Sequence, residues 1–243
     1  MKRVLELIAD VRARYPHDPF FDGFESSCAM RPLKRMHYAA YNRAFMALDP
    51  DAWSFLKVKA LNQLLNSPDR QLKQGFFNQL NEAFAYRFLS KRGFTQIKFV
   101  PEGGQRTPDL SFVKDRQTCY CEVKTLCISQ EAIMRRSTSQ AFDCAPYQTL
   151  NANFFNKLRS DIDNAISQMS TQSGKGLAYI LVIPDDFTLD YYATYRLQLR
   201  NFVRSHSASD IYVKVGLLGQ RVVSKGAISR SGDKRANKSG GGN

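Results

Sequence analysis

Residues 106–126 read RTPDLSFVKDRQTCYCEVKTL. Alternating apolar residues split the stretch into two short strands, PDLSFV (108–113) and TCYCEVKTL (118–126), joined by KDRQ. A two-residue loop at 115–116 and a four-residue loop at 114–117 give the same pairing, in which opposed positions sum to 231. In that register Asp109 faces Glu122, with Cβ atoms ~5 Å apart on one face. Lys124 shares that face ~6–7 Å along the strand. Leu110 and Phe112 lie opposite Cys121 and Cys119 on the other face, which is apolar and can pack. One pairing therefore separates a core face from a face holding two carboxylates and an ammonium.

Upstream, Ser67 and Pro68 carry the residue types of a helix start. The pattern predicts a helix over about 68–91, with Phe76, Leu80, Phe84 and Phe88 as its buried stripe. Lys91 and Arg92 occupy its last turn and Gly93 the position beyond it. FTQIKFV (94–100) reads as a strand. Downstream, residues 127–150 are less regular, with a short helix near 130–136. A long helix over 151–170 carries Phe154, Leu158, Ile162, Ala165 and Met169 along one side. GLAYILVI (176–183) is almost wholly apolar and reads as a central strand covered on both faces. A helix at 188–204 and a strand at 210–217 complete the order. The helix between the third and fourth strands makes those two parallel, whereas the first three, joined by short links, are expected antiparallel. The fold class is α/β, a mixed β-sheet with flanking helices in the order αβββαβ.

Residues 1–66 read as helical, with Val4, Leu7, Ile8 and Val11 on one amphipathic face, a looser segment PHDPFFDGFESS, and helices near 33–47 and 51–65. A region this small is expected to dock on the rest. The organisation is thus an N-terminal helical region (1–66) suited to target or partner recognition, a main domain (67–218) and a basic tail (219–243) expected to lack structure. The chain carries a net charge of +13. The five basic residues and one Asp of 224–243 supply +4 of it and leave +9 elsewhere. Such a balance favours a polyanionic partner, nucleic acid or an acidic membrane surface. The longest apolar run, LAYILVIP, is far short of the ~20 residues that span a bilayer. Five cysteines and no export signal make reduced thiols and a cytoplasmic location the expectation.

Two carboxylates as close as Asp109 and Glu122 repel unless one is protonated or a cation sits between them. Mg²⁺ suits one or two carboxylates completed by phosphate oxygens and waters, with Mn²⁺ as substitute. Such an ion polarises a phosphate and lowers the pKa of a bound water. A lysine beside it can orient or deprotonate that water, or stabilise charge developing on the phosphate. The alternative is an ordinary salt bridge of Lys124 on a solvated face.

Pro108-Asp109, a twelve-residue gap, then Glu122-Val123-Lys124 resembles the signature of the PD-(D/E)xK nuclease superfamily. The order helix, three strands, helix, strand over about 75–185 resembles that family's restriction-endonuclease-like core. Glu82, about ten residues before Gly93-Phe94, resembles the acidic residue of the family's leading helix. The resemblance implies a metal-dependent endonuclease acting on DNA more often than RNA. It implies Asp109, Glu122 and the backbone carbonyl of Val123 as metal ligands and Lys124 as the residue that positions the attacking water. Glu82 would complete the site through a metal-bound water or at a second ion; a solvated helix position is the other reading. Many relatives place a Lys or Gln of the following helix near the substrate phosphate. Here Lys157 and Gln168 belong to a polar stripe with Asp161 and Asn164, which is otherwise a solvated face. Arg135 and Arg136 either touch a phosphate backbone or are simply exposed. Many members act as homodimers, one protomer per strand, and the N-terminal helices are the place for a protein partner.

Cys119 and Cys121 are read as core rather than zinc ligands, since their spacing is not that of a C-x₂-C pair. SGKG (173–176) reads as a turn before a strand. The rival to the nuclease is a nucleic-acid-binding or regulatory protein on the same fold with its site idle; a third reading is an interaction protein whose charges form a surface salt bridge.

Overall fold

The computed structural model describes residues 1–65, 73–101, 103, 106–127, 148–172, 175–183 and 186–230, with the backbone alone at 186–188 and 229–230. The class is α/β, with strands in both parallel and antiparallel pairing, flanking helices and an N-terminal helical region. The chain divides into two compact units, one of Met1–Pro101 with Asp109–Lys114, the other of Glu102–Pro108 with Asp115–Asn243.

The first unit begins with α1 (Lys2–Arg14), which buries Val4, Leu7, Ile8 and Val11, the face expected from their spacing. A 3₁₀ turn (Pro19–Phe21) and a short helix α2 (Phe24–Met30) occupy the segment expected to be looser. Phe21 and Phe24 are buried there, and Asp18 caps the 3₁₀ turn by accepting from the Phe20 amide at 3.0 Å. Helix α3 (Pro32–Phe45) leads to α4 (Pro50–Asn62). Asp49 caps α4 by accepting from the Ala52 amide at 2.8 Å, and Pro50 fits the first turn, where an N–H is not needed.

Helix α5 (Gln74–Lys91) ends as its sequence dictates, with Gly93 in the left-handed region at φ 78°. Residues 67–72 of the expected helix start lie outside the described residues. The single buried stripe is corrected. Phe76, Leu80 and Phe84 are buried and Phe88 only half so, but Asn81, Glu82, Ala83, Ala85 and Tyr86 are buried as well. Helices α3 and α4 both pack on α5, so it is enclosed on several sides rather than one. This is the docking expected of the N-terminal helices. Strand β1 (Thr95–Phe99) pairs antiparallel with β2 (Leu110–Lys114), as short links require. Phe55 of α4 and Tyr86 of α5 both stack on Phe99, with ring centres at 5.6 and 5.9 Å.

Between β2 and β3 (Gln117–Leu126) stand only Asp115 and Arg116, both left-handed at φ 51° and 64°. The two-residue loop, of the two considered, is the one adopted, with the φ signs of a type I′ turn.

In the second unit β3 runs parallel to β4 (Lys175–Val182), and β4 parallel to β5 (Ile211–Val215). Strand β4 is therefore internal, and Leu177 to Val182 are all buried, as their unbroken apolar run requires. Helix α6 (Ala152–Ser170) supplies the crossover and lays Leu158, Ile162, Ala165 and Met169 into a core with Ile180, Leu199 and Val213. Asn151 caps it by accepting from the Phe154 amide at 2.9 Å. Gly176 belongs to β4 rather than to a turn. A Cβ there would lie 2.3 Å from Met169 Sδ, so the absent side chain lets α6 approach the sheet. A 3₁₀ turn (Asp186–Tyr191) precedes α7 (Tyr192–Ser205), splitting the one helix expected at 188–204.

The domain does not end at 218. Val222–Lys225 form β6, antiparallel to β5, and Ala227–Arg230 a further short helix, α8. Two valines suffice for an edge strand once β5 offers a free side, and Val223 is buried. Asp210 then accepts from the Ile228 amide at 2.6 Å. Residues 231–243 of the expected tail, and the short helix near 130–136, lie outside the described residues.

Candidate active site

In the first unit Glu82, Asp109 and a lysine come together. Glu82 sits on α5, Asp109 immediately before β2, and Lys59 on α4. Lys59 Nζ donates to Glu82 Oε1 at 2.8 Å and lies 3.6 Å from Asp109 Oδ1. The three side chains keep only 12%, 5% and 18% of their exposure (Lys59, Glu82, Asp109). The solvated reading of Glu82 is thus corrected: it is an interior carboxylate. Desolvating a carboxylate costs several kcal/mol unless charge or hydrogen bonds offset it. An ammonium ~4 Å away returns about 4 kcal/mol at a dielectric of 20.

Surrounding contacts hold this group in place. Tyr86 Oη donates to Asp49 Oδ2 at 2.9 Å, tying the start of α4 to α5, while Lys59 ties the same two helices near the end of α4. Burial, and then the hydrogen bond and charge of Asp49, push the Tyr86 hydroxyl up to about 12, so it stays a donor. Beside Glu82, Asn81 Oδ1 accepts from Tyr41 Oη at 2.7 Å in the interior. The Val100 amide, just past the end of β1, donates to the Asp109 carbonyl at 3.0 Å, which fixes the Asp109 backbone there.

In the second unit Glu122 and Lys124 point to the same side of β3, while Cys121 and Val123 alternate to the other. Lys124 Nζ donates to Glu122 Oε1 at 2.6 Å and to Gln168 Oε1 of α6 at 2.8 Å. The Glu122 side chain is 3% exposed and that of Lys124 26%. The salt bridge of the alternative reading is formed, but its carboxylate is interior and its ammonium end is half-buried rather than solvated. Their backbones pair with Ala178 and Ile180 of the internal strand β4, so the carboxylate is carried on a rigid element. Gln168 reaches them because its neighbour Met169 packs in the core beneath α6.

Lys157 is placed differently. Its ammonium lies 2.5 Å from Asp161 Oδ1, one turn along the helix. Eleven residues separate it from Gln168, or ~16 Å of helix. The polar stripe of α6 is accordingly not uniformly solvated, since Asp161 is buried. Cys119 and Cys121 are buried, in keeping with a core role. Arg135 and Arg136 lie outside the described residues.

Among the described residues no three His, Cys, Asp or Glu side chains gather as a metal-binding group. Glu82 and Asp109 nevertheless converge on one cation, the Lys59 ammonium, through hard oxygen donors. Two carboxylates with water and phosphate are an ordinary Mg²⁺ set, so these donors fit such an ion. Lys59 was not singled out from sequence. The signal was present: Ala52, Leu56 and Ala60 form the buried side of α4, and Lys59 borders it one turn beyond Leu56.

Comparison with family models, curated proteins and solved structures returned no match for this chain.

Proposed function

We propose that this chain is a divalent-metal-dependent phosphodiesterase, a nuclease with a restriction-endonuclease-like core, acting on DNA in preference to RNA. The observation that carries the reading is the joining of Glu122, Lys124 and Gln168. The Glu and Lys belong to the PD…EVK pattern, and the Gln, 44 residues later in the chain, is one of the two side chains of α6 for which the same resemblance implies a place near the substrate phosphate. The described elements α5-β1-β2-β3-α6-β4 also follow the αβββαβ order.

In this reading Asp109, Glu122 and the Val123 carbonyl hold Mg²⁺ or Mn²⁺, with Glu82 beside Asp109. The bound ion supplies Lewis acidity toward the phosphate and a more acidic water. Lys124 orients that water and meets the charge developing on the phosphate. Glu122 and Gln168 aim its ammonium from two sides, so its position is set before substrate arrives. Water displaces the leaving oxygen in line, with no covalent enzyme intermediate. The net charge of +13 supports backbone binding that weakens with salt.

The test is incubation with supercoiled plasmid, linear duplex, single-stranded DNA and RNA, in Mn²⁺ or in EDTA. Cleavage in Mn²⁺ is expected, with EDTA, Asp109→Ala and Lys124→Ala each abolishing it. DNA binding without cleavage or metal affinity would instead identify a binding module.

A further inference from the structure

The N-terminal helical region contributes to the candidate site directly, through Lys59. That lysine bridges two carboxylates from different elements, Glu82 of α5 and Asp109 at the entry to β2. Within these three side chains one ammonium meets two carboxylates. A divalent ion in the place of the ammonium would bring the pair to neutrality. Both cations at once would bring it to +1 and set them against each other at contact distance. A lysine is suited to yielding such a place, because its charge is a point on a flexible four-carbon stem.

We propose that Lys59 is the resident cation of the Glu82–Asp109 pair, holding it together when no divalent ion is bound and competing with the ion for it. This rests on the phosphodiesterase reading of Asp109. Two consequences follow. Lys59 weakens divalent binding relative to a neutral side chain at the same position. It also stabilises the metal-free protein, because it stands between two interior carboxylates that repel each other.

The experiment is calorimetric titration of the full chain with MnCl₂, together with thermal unfolding in EDTA and in MnCl₂. The proteins are wild type, Lys59→Met, Lys59→Gln, and Lys59→Met combined with Asp109→Asn. Lys59→Met is expected to bind Mn²⁺ about tenfold more tightly than wild type, or better. It should melt lower than wild type in EDTA and regain most of the difference in MnCl₂. The added Asp109→Asn should remove the gain. If Lys59→Met does not fold even with Mn²⁺, Lys59→Gln, which keeps a donor for Glu82, decides by the same criteria.

Wild-type binding with equal or weaker binding by the Lys59 variant overturns the proposal and leaves the phosphodiesterase reading in place. Binding by the Lys59 variant but not by wild type supports the competition and removes the reading of the wild-type chain as a metal enzyme. No binding by any of the four overturns both.

Discussion

Lys124→Met tests whether the Glu122–Lys124 pair is an interior one. The substitution keeps most of the lysine stem and removes its charge. It takes from Glu122, whose side chain is 3% exposed, an ammonium at 2.6 Å, and from Gln168 a donor at 2.8 Å. Breaking a fully buried pair from one side costs ~3–5 kcal/mol. Exposed pairs are worth ~0–1 kcal/mol. The 26% exposure of Lys124 lets water reach one end of this pair, which sets the cost between those limits, at ~2–3 kcal/mol. For chains of this size that corresponds to a fall in Tm of about 4–12 °C. Combining it with Glu122→Gln removes the interior charge as well. The double variant should recover part of the loss, with a coupling energy above ~1 kcal/mol in a double-mutant cycle. Cleavage should be absent from the single and the double variant alike, which separates stability from chemistry. Thermal unfolding of wild type, both single variants and the double variant is the assay. A Lys124→Met protein that melts within about 1 °C of wild type would refute the argument. So would a double variant less stable than the sum of the single effects predicts.

Acid should weaken the N-terminal helices in a traceable way. Burial raises the Glu6 carboxyl, but hydrogen bonds from Lys57 Nζ at 2.7 Å and Trp53 Nε1 at 2.9 Å outweigh it and hold the group below its usual 4.5. A depressed folded pKa contributes stability above the unfolded value and loses it as pH falls through the folded one, so Tm should drop below about pH 4.5. Glu6→Gln should flatten that drop, as read by thermal unfolding between about pH 6 and 3. Asp49→Ala should cost ~2 kcal/mol in urea unfolding, from loss of the α4 cap and of the acceptor for Tyr86. A cost under ~0.5 kcal/mol would mean that α4 does not depend on this anchor.

Much of the local structure can be read from the chain. The 3–4 spacing of Val4, Leu7, Ile8 and Val11 names the buried side of α1, and Gly93 marks the end of α5. The apolar run 177–182 names an internal strand, and a long intervening helix makes β3 and β4 parallel. All of these depend on residues a few positions apart, where periodicity and backbone preference are direct consequences of covalent geometry. The same reasoning fails where burial comes from more than one side. Helix α5 reads as an amphipathic helix with one stripe, yet α3 and α4 enclose it and make Glu82 an interior group. Helix α2 and strand β6 were missed because a seven-residue helix and a four-residue edge strand owe their stability to the neighbours they pack or pair with.

The sequence by itself determined that Asp109, Glu122 and Lys124 are charges set among apolar strand residues, which makes them candidates for chemistry. Tertiary structure alone decided what each charge meets. Lys59 reaches Glu82 across 23 residues and Asp109 across 50, and Gln168 reaches Lys124 across 44. No local pattern encodes such distances. They follow from α4 packing on α5, and from α6 lying close to the sheet where Gly176 leaves room for Met169.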